Sequence, residues 1–106
     1  MPRRILLNAA MIPEPGTWRY TLIDPFEARK WLQDFTWESY IGYPQTAEYL
    51  TRLAGRPIPL NRAKVENLRP GDEALVCRLR YRVADPATKG QPQPEDWEFG
   101  IITKLA

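Results

Sequence analysis

The chain has 106 residues, 43% hydrophobic and 26% charged, and 15 Lys and Arg against 13 Asp and Glu leave a formal net charge of +2. A chain of this length holds one domain with one modest core, and its composition excludes disorder and gives no bulk charge for coating long nucleic acid. Cys77 is the only cysteine and there is no histidine, which excludes an intramolecular disulfide, a Cys/His zinc site and Ser-His or Cys-His nucleophile pairs.

The first expected element is a strand over Arg3–Asn8, around the apolar run Ile5-Leu6-Leu7. Two prolines and a glycine make 11–16 a loop, and Thr17–Ile23 reads as a second strand. Asp24-Pro25-Phe26-Glu27 is a helix start, with Asp24 as N-cap and Pro25 at the first helical position. Ala28, Trp31, Leu32 and Phe35 then recur at helical spacing over about ten residues. Ser39–Gly42 reads as a short strand ending in a turn. A second helix spans Pro44–Ala54, with Ala47, Leu50, Leu53 and Ala54 on one face, Gly55 at its end and Pro57 beyond.

Arg69–Asp72 is a turn that the pattern places between two strands, Arg62–Leu68 and Glu73–Val83. In the latter, Leu75, Cys77, Leu79, Tyr81 and Val83 share one face, and Ala74, Val76, Arg78, Arg80 and Arg82 the other. Residues 85–96 form a proline-rich loop, and Trp97–Leu105 is the last strand. The order β-β-α-β-α-β-β-β predicts a single α/β domain over residues 1–106, a mixed five- to six-stranded sheet flanked by helices. No apolar run approaches the ~20 residues of a membrane span and there is no signal-peptide pattern, so the chain reads as cytosolic, with no membrane partner. The carboxylates are scattered and no metal or cofactor motif is present.

Two features point to an anionic ligand. Residues 56–82 carry seven basic and three acidic side chains. Within them, Arg78, Arg80 and Arg82 lie about 7 Å apart along one strand face, close to nucleotide phosphate spacing. Such a stripe is either a solvated face or a binding surface. The second helix has Tyr43 at its N-cap, a poor capping residue, so its first amides either begin the helix uncapped or serve an anion. Trp31 belongs to the core, and Trp18, Trp37 and Trp97 read as packing rather than base-stacking platforms. Cys77 reads as an inert core thiol.

Asn8-Ala9-Ala10, Ile41-Gly42-Tyr43, Asn61-Arg62, Tyr81-Arg82-Val83 and Glu98-Phe99-Gly100, in this order, resemble the viral ring nuclease family of type III anti-CRISPR proteins. The resemblance covers essentially the whole chain. It implies a homodimer that binds cyclic tetra-adenylate across its interface and cleaves it without a metal, antagonising type III CRISPR signalling. By position, the family's strand-end arginine falls on Arg82 and its acidic residue on Asp85. Its first-strand asparagine falls on Asn8, its Asn-Arg pair on Asn61 and Arg62, and its helix-start polar residues on Gln45 and Thr46. Arg78 lies where the family has a polar ligand contact. Where the family carries a histidine as general acid, this chain has Tyr43. The resemblance therefore implies either slow cleavage, with Tyr43, Arg82 and Asp85 catalytic, or a protein that only sequesters the cyclic nucleotide. From the residues alone, an adaptor for single-stranded nucleic acid or protein also remains open.

Overall fold

Strand β1 (Arg4–Leu7) lies inside the sheet because its RILL run is apolar on both faces. The computed structural model describes residues 2–9, 12, 14–79 and 96–106. After β1 come β2 (Trp18–Ile23), α1 (Pro25–Asp34), β3 (Glu38–Ser39), α2 (Pro44–Ala54), β4 (Glu73–Leu79) and β5 (Trp97–Lys104). They form one five-stranded sheet in the order β2-β5-β4-β1-β3. β1 runs parallel to both β3 and β4, while β5 is antiparallel to β4 and β2. The expected mixed α/β sheet is present.

A side-chain cap sets the start of α1, and a left-handed glycine sets the end of α2. The Asp24 carboxylate accepts the Glu27 N–H at 2.7 Å, and Pro25 opens α1 without wasting a donor. Gly55 ends α2 in the left-handed region at φ 75°, a conformation that costs glycine little. Phe35, expected on the α1 stripe, is its C-cap residue and packs edge-on against Trp31.

Alternation along the strands divides the interior into two cores. On one face Leu6, Leu75, Cys77 and Phe99 meet Ala28, Trp31 and Leu32 of α1 and Ala47, Leu50 and Ala54 of α2. On the other, Ile5, Leu7, Ala74, Val76 and Ile102 are covered by Val65 and Leu68. Both helices thus lie on one side, and the opposite side is closed by the segment 61–69.

That segment corrects the expected strand Arg62–Leu68, because it joins no ladder. Val65 and Leu68, the two residues it buries, are three apart, which strand alternation cannot place on one face. Side chains take the place of a ladder. The Glu14 carboxylate accepts the N–H groups of Asn67 and Leu68, at 2.9 and 3.3 Å. Arg3 donates to the Glu66 carbonyl and Lys104 to the Leu68 carbonyl, each at 2.8 Å. The strand expected over Ser39–Gly42 is likewise shorter and earlier, with Ile41 joined only by a bridge to Leu60. Among the described residues, no helix is long and apolar enough to cross a membrane.

Candidate functional site

β1 and β3 are parallel, so their carboxyl ends lie together, and ligands of such sheets sit beyond those ends. There the chain forms an open crevice of about 400 Å³, lined by Asn8, Tyr40, Gly42, Tyr43, Arg62 and Ala63. Asn8 follows β1, Tyr40–Tyr43 lead from β3 into α2, and Arg62 and Ala63 arrive from the chain beyond α2. The sequence folds this way because Gly42 and Pro44 end the edge segment and start the helix within three residues.

Tyr43 occupies the N-cap of α2 with extended backbone, and its side chain makes no capping bond. It is 62% exposed. Pro44 has no N–H, and the amides of Gln45 and Thr46 lack an intrahelical carbonyl, as first-turn amides do. The helix start therefore places amides without an intrahelical partner and the positive end of its dipole beside the crevice. Among the described residues Arg62 is the only charged one in the lining, so both electrostatic contributions favour an anion.

The other expected site residues divide. Asn8 accepts the Gly42 N–H through Oδ1 at 2.9 Å, and Arg62 donates from Nε to the Gly42 carbonyl at 2.9 Å. Gln45 is exposed, whereas Thr46, one residue on, is only 6% exposed and faces the interior. Arg78 does not line the crevice. It bonds the Glu98 carboxylate across the β4–β5 ladder, Nη2 at 2.8 Å and Nε at 2.9 Å. Arg80, Arg82 and Asp85 lie outside the described residues.

Gly42 lines the crevice as part of the Ile41-Gly42-Tyr43 pattern, and Tyr40 lines it although no motif included it. Tyr40 is held by Arg3, whose Nη2 donates to the phenol oxygen at 2.6 Å, and no local pattern announces that partnership. Asn61 stays behind the lining and donates from Nδ2 to the Ser39 carbonyl at 3.0 Å.

The tryptophans serve packing. Trp97 stacks on Tyr49 with centroids 4.8 Å apart, Trp37 donates to the Leu32 carbonyl, and Trp18 lies under Lys104. Burial pushes the Cys77 thiol far above its ordinary range, which keeps it protonated and a poor nucleophile. Burial also raises Tyr49, helped by Cys77, and raises Tyr20, helped by the Glu98 carboxylate and opposed by Arg78. Among the described residues no group of His, Cys, Asp or Glu could hold a metal ion.

Fold and crevice together define a class of small α/β domains with both helices on one face of a mixed sheet and a polar pocket at its carboxyl edge. Residues 4–98 match the model of the STIV B116-like family, and the chain belongs to that family. It is 31% identical over 103 residues to the uncharacterized protein YddF of Bacillus subtilis (strain 168), covering 93% of this chain and 94% of that one. Its fold is shared with B116 of Sulfolobus turreted icosahedral virus (TM-score 0.68, 20% identity, 95% of this chain and 98% of that one). The family resemblance read from the sequence is borne out by these matches.

Proposed function

We propose that two copies of this chain bind cyclic tetra-adenylate across their interface, each crevice receiving part of the ring, and that the dimer cleaves it without a metal, antagonising type III CRISPR signalling. The observation that carries this reading is the uncapped start of α2, opening beside Arg62 into a crevice at the sheet's carboxyl edge. A two-fold site matches a symmetric ring, and a ring is preorganised for binding.

Cleavage needs orientation more than it needs a metal. A ribose 2′-oxygen forms a bond to the adjacent phosphorus as the bond to the 5′-oxygen breaks. Tyr43 gives its phenolic proton to the departing 5′-oxygen, and the 2′-hydroxyl proton passes to solvent. Arg82 steadies the charge on the five-coordinate phosphorus and Asp85 orients one of the pair. A phenol is a weaker acid than the imidazolium that stands here in viral ring nucleases, so turnover is slow.

Incubation of the pure protein with labelled cyclic tetra-adenylate, followed by separation of the products, tests the proposal. Tyr43→Phe keeps the ring and removes the proton. It is expected to preserve affinity and lower the single-turnover rate at least ~10-fold, since general acid catalysis contributes roughly 10²–10⁴-fold. An unchanged rate would remove Tyr43 from the mechanism. Tight binding without product over many hours would leave a sequestering protein, the reading that the missing histidine favours. A monomer by light scattering with ligand present would refute the shared site.

A further inference from the structure

Gly42 is gripped from both sides, through the peptide unit before it and the one after it. Asn8 accepts its N–H from a position 34 residues earlier, and Arg62 donates to its carbonyl from a position 20 residues later. The second grip is itself anchored. Asn61 donates its backbone N–H to the Ile41 carbonyl at 2.9 Å and its Nδ2 to the Ser39 carbonyl at 3.0 Å, while its Oδ1 accepts the Ala63 N–H at 2.9 Å.

A glycine peptide left to itself turns easily, because no Cβ restricts φ and ψ. Here that peptide leads directly into Tyr43 and the first turn of α2. An added Cβ on Gly42 would meet Arg62 Cγ at 3.4 Å and Asn8 Oδ1 at 3.8 Å, so the two side chains close on it from near contact. The chemistry of the atoms also matters. Asn8 Oδ1 is an acceptor that would repel a phosphate, and it is spent on an N–H. Arg62 spends Nε on a carbonyl, which fixes the plane of its guanidinium.

We infer that Asn8 and Arg62 are positioning residues: by holding the two peptide units that flank Gly42 they set the direction of the Tyr43 phenol and of the first-turn amides that follow it. The inference rests on the reading of this crevice as a phosphodiester site and says how that site is held in register. Catalytic geometry is sensitive enough for this to matter, since a misplacement of about 1 Å can cost on the order of 100-fold in rate.

Two measurements test it. The first is hydrogen exchange of the Gly42 amide by NMR, without ligand. Asn8→Ala is expected to speed it by roughly tenfold or more while the amides of β1 and β4 are unchanged, and Asn8→Asp, which keeps the acceptor, to restore protection. An unaltered Gly42 amide in Asn8→Ala overturns the clamp. The second is a double-mutant cycle in the single-turnover rate. Asn8→Ala, and Arg62→Lys with its charge kept but its Nε–H lost, should each slow wild type by roughly tenfold yet add little to Tyr43→Phe, because groups that act through one another are non-additive. Fully multiplicative losses would show that they act independently of Tyr43 and overturn the inference. Absence of product from wild type would refute the catalytic reading instead, and Gly42 exchange would then decide the clamp alone.

Discussion

Trp31 buries its indole at the centre of the helix-side core, and its Nε1 has no hydrogen-bond partner among the described residues. An unmade bond of this kind forfeits about 1–3 kcal/mol of hydration. Trp31→Phe removes the stranded donor together with part of the ring, and the two effects oppose each other. It is expected to cost less than about 2 kcal/mol by urea denaturation, whereas Leu32→Ala, a pure cavity at a fully buried site, should cost roughly 2–5 kcal/mol. A residue's role was legible in the sequence where it depended on near neighbours, as for Trp31 on its helical stripe or Tyr43 before Pro44. The role of Arg78 was not. The stripe left a solvated face and a binding surface open, and the ion pair of Arg78 with Glu98 depends on a β4–β5 register that only the folded sheet fixes.

The two helices begin in opposite ways, and the contrast can be measured. Asp24 satisfies an amide at the start of α1, so Asp24→Ala is expected to lower stability by about 0.5–2 kcal/mol with ligand affinity untouched, since Asp24 is not among the residues that line the crevice. At α2 the same reasoning reverses. Tyr43→Ser supplies the missing cap and is expected to raise stability by about 0.5–1 kcal/mol, while weakening cyclic tetra-adenylate by occupying the amides it would use. Paired denaturation and calorimetry on both variants read the two effects; a Tyr43→Ser protein that gains stability and keeps full affinity would mean that the ligand ignores this helix start. Helices were legible because caps and prolines are local signals. The segment 61–69 was misread because its order comes from Glu14, Arg3 and Lys104, side chains distant in sequence.

At the scale of the whole molecule, stability is coupled to pH through Cys77. Its thiol holds its proton above the ordinary value in the fold and releases it near pH 9 when unfolded. Above that pH the unfolded state binds fewer protons, so stability falls as pH rises, by up to about 1.4 kcal/mol per unit for one group. Tyr49 and Tyr20, also raised, add losses of the same sign higher up. Urea midpoints between pH 8 and 10 should therefore decline, and Cys77→Ala should flatten the decline at its lower end; an equal slope in the variant would assign the effect elsewhere. The mixed α/β sheet followed from the order of elements, but the position of β1 between β4 and β3 did not, since strand neighbours are set by pairing across the chain.

That central position has a kinetic consequence. β1 precedes the other strands, yet its neighbour β4 lies 69 residues further along the chain, and among the described residues β2 pairs only with β5. Distant pairing slows folding, because loop closure must precede the contacts that reward it. In the growing chain β1 can pair early only with the two-residue β3, and its other edge stays open until β4 has been made. Until then Ile5, Leu6 and Leu7 offer an apolar open edge to a chaperone or to another unfinished copy.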